Sequence, residues 1–202
     1  MNPLNSIWGT IITGFVVAAV IALAAVQVGM ADSGAIVIWI HVIVGVVWIG
    51  LLYYFNFVQA PGMAEAAADE GGPGGAGISK YIAPRALLWF RWSALATWVT
   101  GAVFLLERGE FLNAFMLGGA GGNTDSVYGL TIGVGAWLGT IMLFNVWILI
   151  WPNQKKILGI VEASADEIAK GKRVAFLASR TNTMLSIPML MSMVGAHHGY
   201  FL

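Results

Sequence analysis

The sequence predicts an all-α protein, a polytopic membrane helix bundle of about five transmembrane helices with one short amphipathic helix on the surface. Composition is the first reason: 58% of the chain is hydrophobic and only 10% charged, against about a quarter charged in ordinary soluble domains. Distribution is the second, because the apolar residues gather into runs of about 20, the length that crosses a hydrocarbon core. Glycine, proline and charge collect between the runs. The whole chain, 1–202, then reads as one integral membrane domain.

The first span is expected at about 7–30. A secretory leader would carry a basic start and a core of roughly 7 to 15 residues, whereas no Lys or Arg precedes this longer run. It reads as a retained anchor. The second span, about 35–58, holds HVIVGVVWIGLLYYFNFVQ, where His41, Gly45, Trp48, Leu52 and Gln59 recur at helical spacing. Pro61 follows its end. Residues 63–77, with three acids and GGPGGAG, read as a flexible loop.

Pro84 suits the first turn of a third span, about 84–106. The apolar FLNAFML that follows suits the membrane surface. The fourth span, about 126–151, closes at Pro152 and carries Gly129, Gly133, Gly135 and Gly139, which admit either a close helix neighbour or a flat cofactor. Residues 155–170 read as the amphipathic surface helix. The fifth span, about 174–195, is interrupted by Pro188 and ends at His197 and His198.

Charge sets orientation and excludes some functions. Lys80 and Arg85 flank the second-to-third connection, and Lys155, Lys156, Lys170, Lys172 and Arg173 fall in the fourth-to-fifth, while the other two connections hold only Arg108. The positive-inside rule then expects a bacterial inner (cytoplasmic) membrane protein with a cytoplasmic amino terminus and a periplasmic carboxyl terminus, its first partner being the lipid bilayer. Ten basic and ten acidic residues give no net charge, so no nucleic-acid partner is expected. The absence of cysteine excludes covalent c-type haem attachment, and no iron-sulfur cluster held by cysteine is expected.

On this topology the polar residues fall into two layers. His41, His197 and His198 lie toward the outer face, with His41 about 9 Å inside its helix end. Imidazoles on facing helices suit a b-type haem, with His41 and His197 as ligands to the haem iron and His198 beside them. A hydrogen bond from His41 to a neighbouring helix and a solvated His197-His198 tail remain the plain alternatives. Copper or zinc would want a carboxylate, for which Asp32 is the candidate.

The inner layer gathers Asn56, Gln59, Arg85, Arg91, Asn145, Arg180 and Asn182 among Trp89, Trp92, Trp147 and Trp151. Of these, Asn56, Gln59, Arg91, Asn145, Arg180 and Asn182 are the candidate substrate contacts, since guanidinium forks beside indole faces suit a planar anion or a quinone head group. An aromatic belt with snorkelling arginines and an interhelical amide network explains them equally. No catalytic residue is assigned.

Several stretches resemble a known family. HVIVGVVWIG at His41, PRALLWFRWSALATWVTG from Pro84, GTIMLFNVWILIWPNQKK from Gly139 and the run from Gly171 through SIPMLMSMVGAHH are similar, in order, to the membrane domain of bacterial cytochrome c-linked urate oxidase, or urate hydroxylase. WPNQKK is the most specific of them. The resemblance implies a membrane oxidoreductase that oxidises urate and hands electrons to a c-type cytochrome, usually a fused carboxyl-terminal domain. This cysteine-free sequence reads as a short form, whose c-type cytochrome would be a separate periplasmic protein.

His41, Trp48, Trp89, Trp92, Asn145, the stretch 152–156 and His197 match the family pattern. Leu88, Ser93 and Arg180 depart from it, standing where the family carries a histidine, an acid and a histidine. These departures fall in the inner layer, so the resemblance carries a haem further than it carries urate. The function expected is a membrane-embedded, haem-binding electron-transfer protein. The alternatives are a noncatalytic accessory subunit beside other membrane subunits of a respiratory or photosynthetic complex, and a small-anion transporter using the inner arginines.

Overall fold

A computed structural model of the chain describes residues 2–27, 33–121 and 125–199. Among these the fold is all-α. A 3-10 turn, Pro3–Asn5, precedes helix α1 (Ile7–Gln27). Helix α2 (Ser33–Tyr53) widens into a π-helical stretch, Tyr54–Gln59, and continues as α3 (Ala60–Ala68). A second wide stretch, Ile78–Ile82, leads into α4 (Ala83–Glu107), and the short α5 (Phe111–Phe115) follows. Helix α6 (Ser126–Phe144) passes through a third wide stretch, Asn145–Ile150, into α7 (Trp151–Ile157), and α8 (Ala165–His198) completes the fold.

Proline explains the three wide stretches. They end at Gln59, Ile82 and Ile150, each two residues before Pro61, Pro84 or Pro152. A proline inside a helix gives no N–H and drives its ring against the carbonyl four residues back. Loosening the turn upstream moves that carbonyl aside and lets the helix continue. Pro61 therefore does not end the second helix near residue 58 as expected, and α3 takes up residues that read as loop.

Charge and capping explain the next boundary. The segment 155–170 is not a separate amphipathic helix: its first residues finish α7 and its last begin α8. Gly159, at φ 69°, turns the chain between them. Ser164 then starts α8 with a capping box, its hydroxyl accepting from Glu167 N while the Glu167 carboxylate accepts from Ser164 N at 3.0 Å. From there α8 runs unbroken through Pro188.

Helix α2 packs along α4, and α6 along α8. The two pairs close on a core of Trp48, Leu52, Leu87, Phe90, Ala94, Met142, Val146 and Met189. Hydrogen bonds cross the seams: Trp98 Nε1 donates to Thr140 Oγ1 at 2.8 Å, and the Tyr53 and Ser186 hydroxyls meet at 3.0 Å. Helix α1 stays outside this core. None of its described side chains is buried, and it touches the bundle through the ring pairs Trp8–Trp89 and Phe15–Trp39.

Three stretches of the described residues are long and apolar enough to cross a membrane, within Ile7–Ala24, Gly34–Ala68 and Ser126–Ile157. Helices α4 and α8 are long but more polar, with Arg85, Arg91 and Glu107 in the first and a charged amino-terminal third in the second.

The glycine face of α6 is filled by protein. A Cβ at Gly129 would meet the Asn113 amide, one at Gly133 the Ala114 carbonyl, and one at Gly135 the Ser192 hydroxyl. Asn113 is fully buried and donates to Glu110 Oε2 and to the Asp125 carbonyl. So the FLNAFML segment seats α5 against α6 while Leu112, Met116 and Leu117 stay exposed, and Gly129, Gly133 and Gly135 admit protein neighbours, not a cofactor. Gly139 alone of the four faces open space.

Candidate functional site

The chain reverses direction with each long helix, so residues far apart in sequence share an end of the bundle. At one end His41, near the start of α2, rests on the later half of α4. Its Nδ1 lies 2.8 Å from the Thr97 carbonyl and 3.3 Å from Thr100 Oγ1. A carbonyl only accepts, so Nδ1 carries the proton and Nε2 keeps its lone pair. Gly101 makes room for the ring, since a Cβ there would come within 2.9 Å of His41 Cε1.

His197, in the last turn of α8, repeats the pattern. Its Nδ1 donates to the Met193 carbonyl at 3.1 Å, and its ring stands 6.2 Å from Phe104 and 6.1 Å from Tyr128. Thr97, Gly101 and Phe104 are spaced four and three residues apart, one stripe of α4. Both imidazoles are thus set against the same face of one helix, each with Nε2 uncommitted to its Nδ1 partner. His197 and His198 are both exposed, whereas His41 is half-buried. Asp32 lies outside the described residues, and among those described no three His, Cys, Asp or Glu gather as a metal cluster.

The opposite end contains a cavity of about 380 Å³, lined from the π-helical stretches, α3, α4, α7 and α8. The six inner candidates divide around it. Asn56 and Gln59 line it. Asn56 is buried and donates through Nδ2 to the Leu52 carbonyl and to Ser179 Oγ, each at 2.8 Å. Gln59 Oε1 is buried and accepts no hydrogen bond among the described residues.

The others lie elsewhere. Asn145 donates to Asn182 Oδ1 at 2.8 Å, and the fully buried Asn182 donates to the Met142 carbonyl at 2.9 Å, an amide clamp joining the third wide stretch to α8. Arg91 lies over the Trp151 ring, 3.8 Å from its centroid. Arg180 extends over Phe176 at 5.2 Å. Neither guanidinium lines the cavity.

Four polar lining residues lay outside the expected set: Ser79, Gln154, Lys172 and Ser179. Gln154 had a visible signal as part of WPNQKK. Lys172 was hidden by assigning it to a surface segment, when it sits on the same helix as Ser179.

Comparison with known proteins finds a family match in the carboxyl-terminal part of the chain, and it does not reach the stretches at His41 and Pro84. Residues 124–202 match the family model described as urate oxidase N-terminal, a segment that takes in α6, α7 and α8 but less than half of the chain. No curated protein and no solved structure matches the chain.

Proposed function

We propose that the protein is a membrane-embedded, haem-binding electron-transfer protein, related in its carboxyl-terminal half to urate oxidases, with His41 and His197 as the iron ligands of a b-type haem. One observation carries this reading: each ring gives Nδ1–H to a backbone carbonyl, His41 to Thr97 on α4 and His197 to Met193 one turn back on α8, which fixes the tautomer of each as in a ligating histidine. In that tautomer the Nε2 lone pair of each ring would be the atom offered to an iron. A haem bound there would accept and donate single electrons. The chain's own part is to hold the imidazoles: Thr97 and Thr100 orient His41, Gly101 clears its ring, and Phe104 and Tyr128 flank His197.

The bilayer reading rests on apolar exteriors. Beyond the three membrane-length stretches, α4 exposes Val99, Val103 and Leu106, and α8 exposes Met184, Ile187 and Val194. At 25 and 34 residues these helices reach roughly 37 and 51 Å at 1.5 Å per residue, which supports five spans in a bacterial inner membrane. A separate periplasmic c-type cytochrome remains the proposed electron partner. Helix α1, apolar and outside the core, gives specific support to a second reading, that the chain is an accessory subunit beside other membrane proteins. Urate as substrate and anion transport gain less, since neither Arg91 nor Arg180 lines the cavity.

The test is an absorption spectrum of the purified protein with and without dithionite. A Soret band and reduced α-band are expected in the wild type. Both should vanish in His41→Ala and His197→Ala while membrane insertion persists, and His198→Ala should keep them. A wild type without a Soret band, or haem content unchanged in His41→Ala, would refute the proposal.

A further inference from the structure

We infer that the outward face of α8 holds an anionic phospholipid, its phosphate seated on Arg180 and an acyl chain laid along Met184 and Ile187. This occupant presumes the bilayer part of the proposed function and is independent of the haem. Residues three and four apart on a helix share a face, and Phe176, Arg180, Met184 and Ile187 are spaced four, four and three apart. All four are exposed, while Ala175, Ala178, Asn182 and Ser186 on the other side of α8 are buried. Arg173, also exposed, extends the same face by two turns, about 10 Å along the axis from Arg180. The face thus carries two cations toward the start of the span and apolar side chains beyond them, the polarity of a single lipid molecule.

Arg180 is the residue that needs an occupant. It lies six residues past the start of the proposed fifth span at about 174, roughly 9 Å inside it. Water is absent from a lipid-facing surface at that depth, and a charge there is costly unless it is paired. Among the described residues the guanidinium meets the Phe176 ring, 5.2 Å away, and no carboxylate. Phe176 stands one turn nearer the start of α8, the direction in which long helical side chains lean, so the guanidinium is aimed at the headgroup layer. A phosphate accepts two parallel hydrogen bonds from a guanidinium, a fork that a lysine cannot offer. A second copy of the chain does not supply the counter-charge, because none of its ten acidic residues falls within a proposed span. A phosphodiester does supply it, and the chains it carries cover the apolar residues that follow. The proposed topology also puts this end of α8 at the cytoplasmic leaflet, where anionic lipid resides.

Thermal melts of the delipidated full chain in detergent test this with three additions: dioleoyl phosphatidylglycerol, dioleoyl phosphatidylcholine, and glycerol phosphate, which has the charge without the chains. Phosphatidylglycerol should raise the melting temperature saturably, at a concentration roughly tenfold below that needed of phosphatidylcholine. Glycerol phosphate should do nothing. Arg180→Gln should erase the preference between the two lipids, whereas Lys80→Gln, an equal loss of charge at an exposed residue elsewhere, should keep it. Arg180 is exposed and glutamine has a similar helix propensity, so Arg180→Gln should fold as the wild type does. An equal response to both lipids, a response to glycerol phosphate as large as that to phosphatidylglycerol, or a preference unchanged in folded Arg180→Gln would overturn the inference. So would a stoichiometric membrane protein that accompanies the wild type and is lost from Arg180→Gln, since a partner's carboxylate would then occupy the arginine. Carbonate washing of the membranes tests the bilayer reading by itself. A chain that resists washing yet fails the lipid test loses this inference alone, and one that washes off loses the bilayer reading.

Discussion

Single side chains here are decided by where a hydrogen bond can end. Asn182 is fully buried with both ends of its amide engaged, to Asn145 and to the Met142 carbonyl. Replacing it by leucine strands the Asn145 amide, which should cost about 1–3 kcal/mol. In thermal melts of the purified protein, Asn182→Leu should therefore destabilise, and adding Asn145→Leu should cost less than the two singles summed. Strict additivity would mean that the clamp contributes nothing. Polar identity was legible in the sequence but partners were not. Asn56 and Gln59 stand in the π-helical stretch between α2 and α3 and do reach the cavity. Arg91 and Arg180 have long side chains and take the nearest aromatic face, Trp151 or Phe176, a choice that spacing along a helix cannot reveal. His41 was legible because an ionisable ring in an apolar run needs a partner, here the Thr97 carbonyl.

At the scale of an element, the start of α8 shows why the apolar pattern alone misplaces a boundary. Residues 165–173 are polar and read as surface, yet the Ser164 capping box makes them the opening turns of a continuous helix. This start depends on pH. Glu167 has its carboxyl held below the usual value, first by the Ser164 N–H and then by the hydrogen bond and charge of Lys156. A carboxyl depressed on folding stabilises the folded form above its unfolded value, and the effect is lost as pH falls through the folded value. Amide exchange over residues 165–168 should therefore be slower in wild type than in Glu167→Gln near neutral pH, and the two should converge in acid. A gap that persists in acid would show that Glu167 acts by some means other than its charge. The long apolar helices were legible because their runs are uninterrupted, whereas α5 was not, since a five-residue helix has too few positions to display a period.

For the whole molecule, the arrangement places a histidine end and a cavity end at opposite ends of the paired helices, with Trp48, Phe90 and Met142 packed between them. The all-α class followed from composition. The pairing of α2 with α4 and of α6 with α8 did not, because apolar helices carry little record of which neighbour they choose. Five spans with a cytoplasmic amino terminus predict that alkaline phosphatase fused after residue 199 is active and that the same reporter placed near residue 72 is silent. The opposite pattern, or activity at both points, would overturn that topology.

The proline-widened turns make residue number an uneven ruler. Between His41 and Leu52 each turn takes about 3.6 residues, but past Tyr54 the coil spends more of them on each revolution. Gln59 therefore does not fall back onto the stripe that begins at His41, although simple counting puts it there. The same change of scale occurs before Pro84 and before Pro152. Two chains of this kind that differ by one residue upstream of such a proline could thus present the same side chains to the cavity, and positions there are compared by place in space and not by offset.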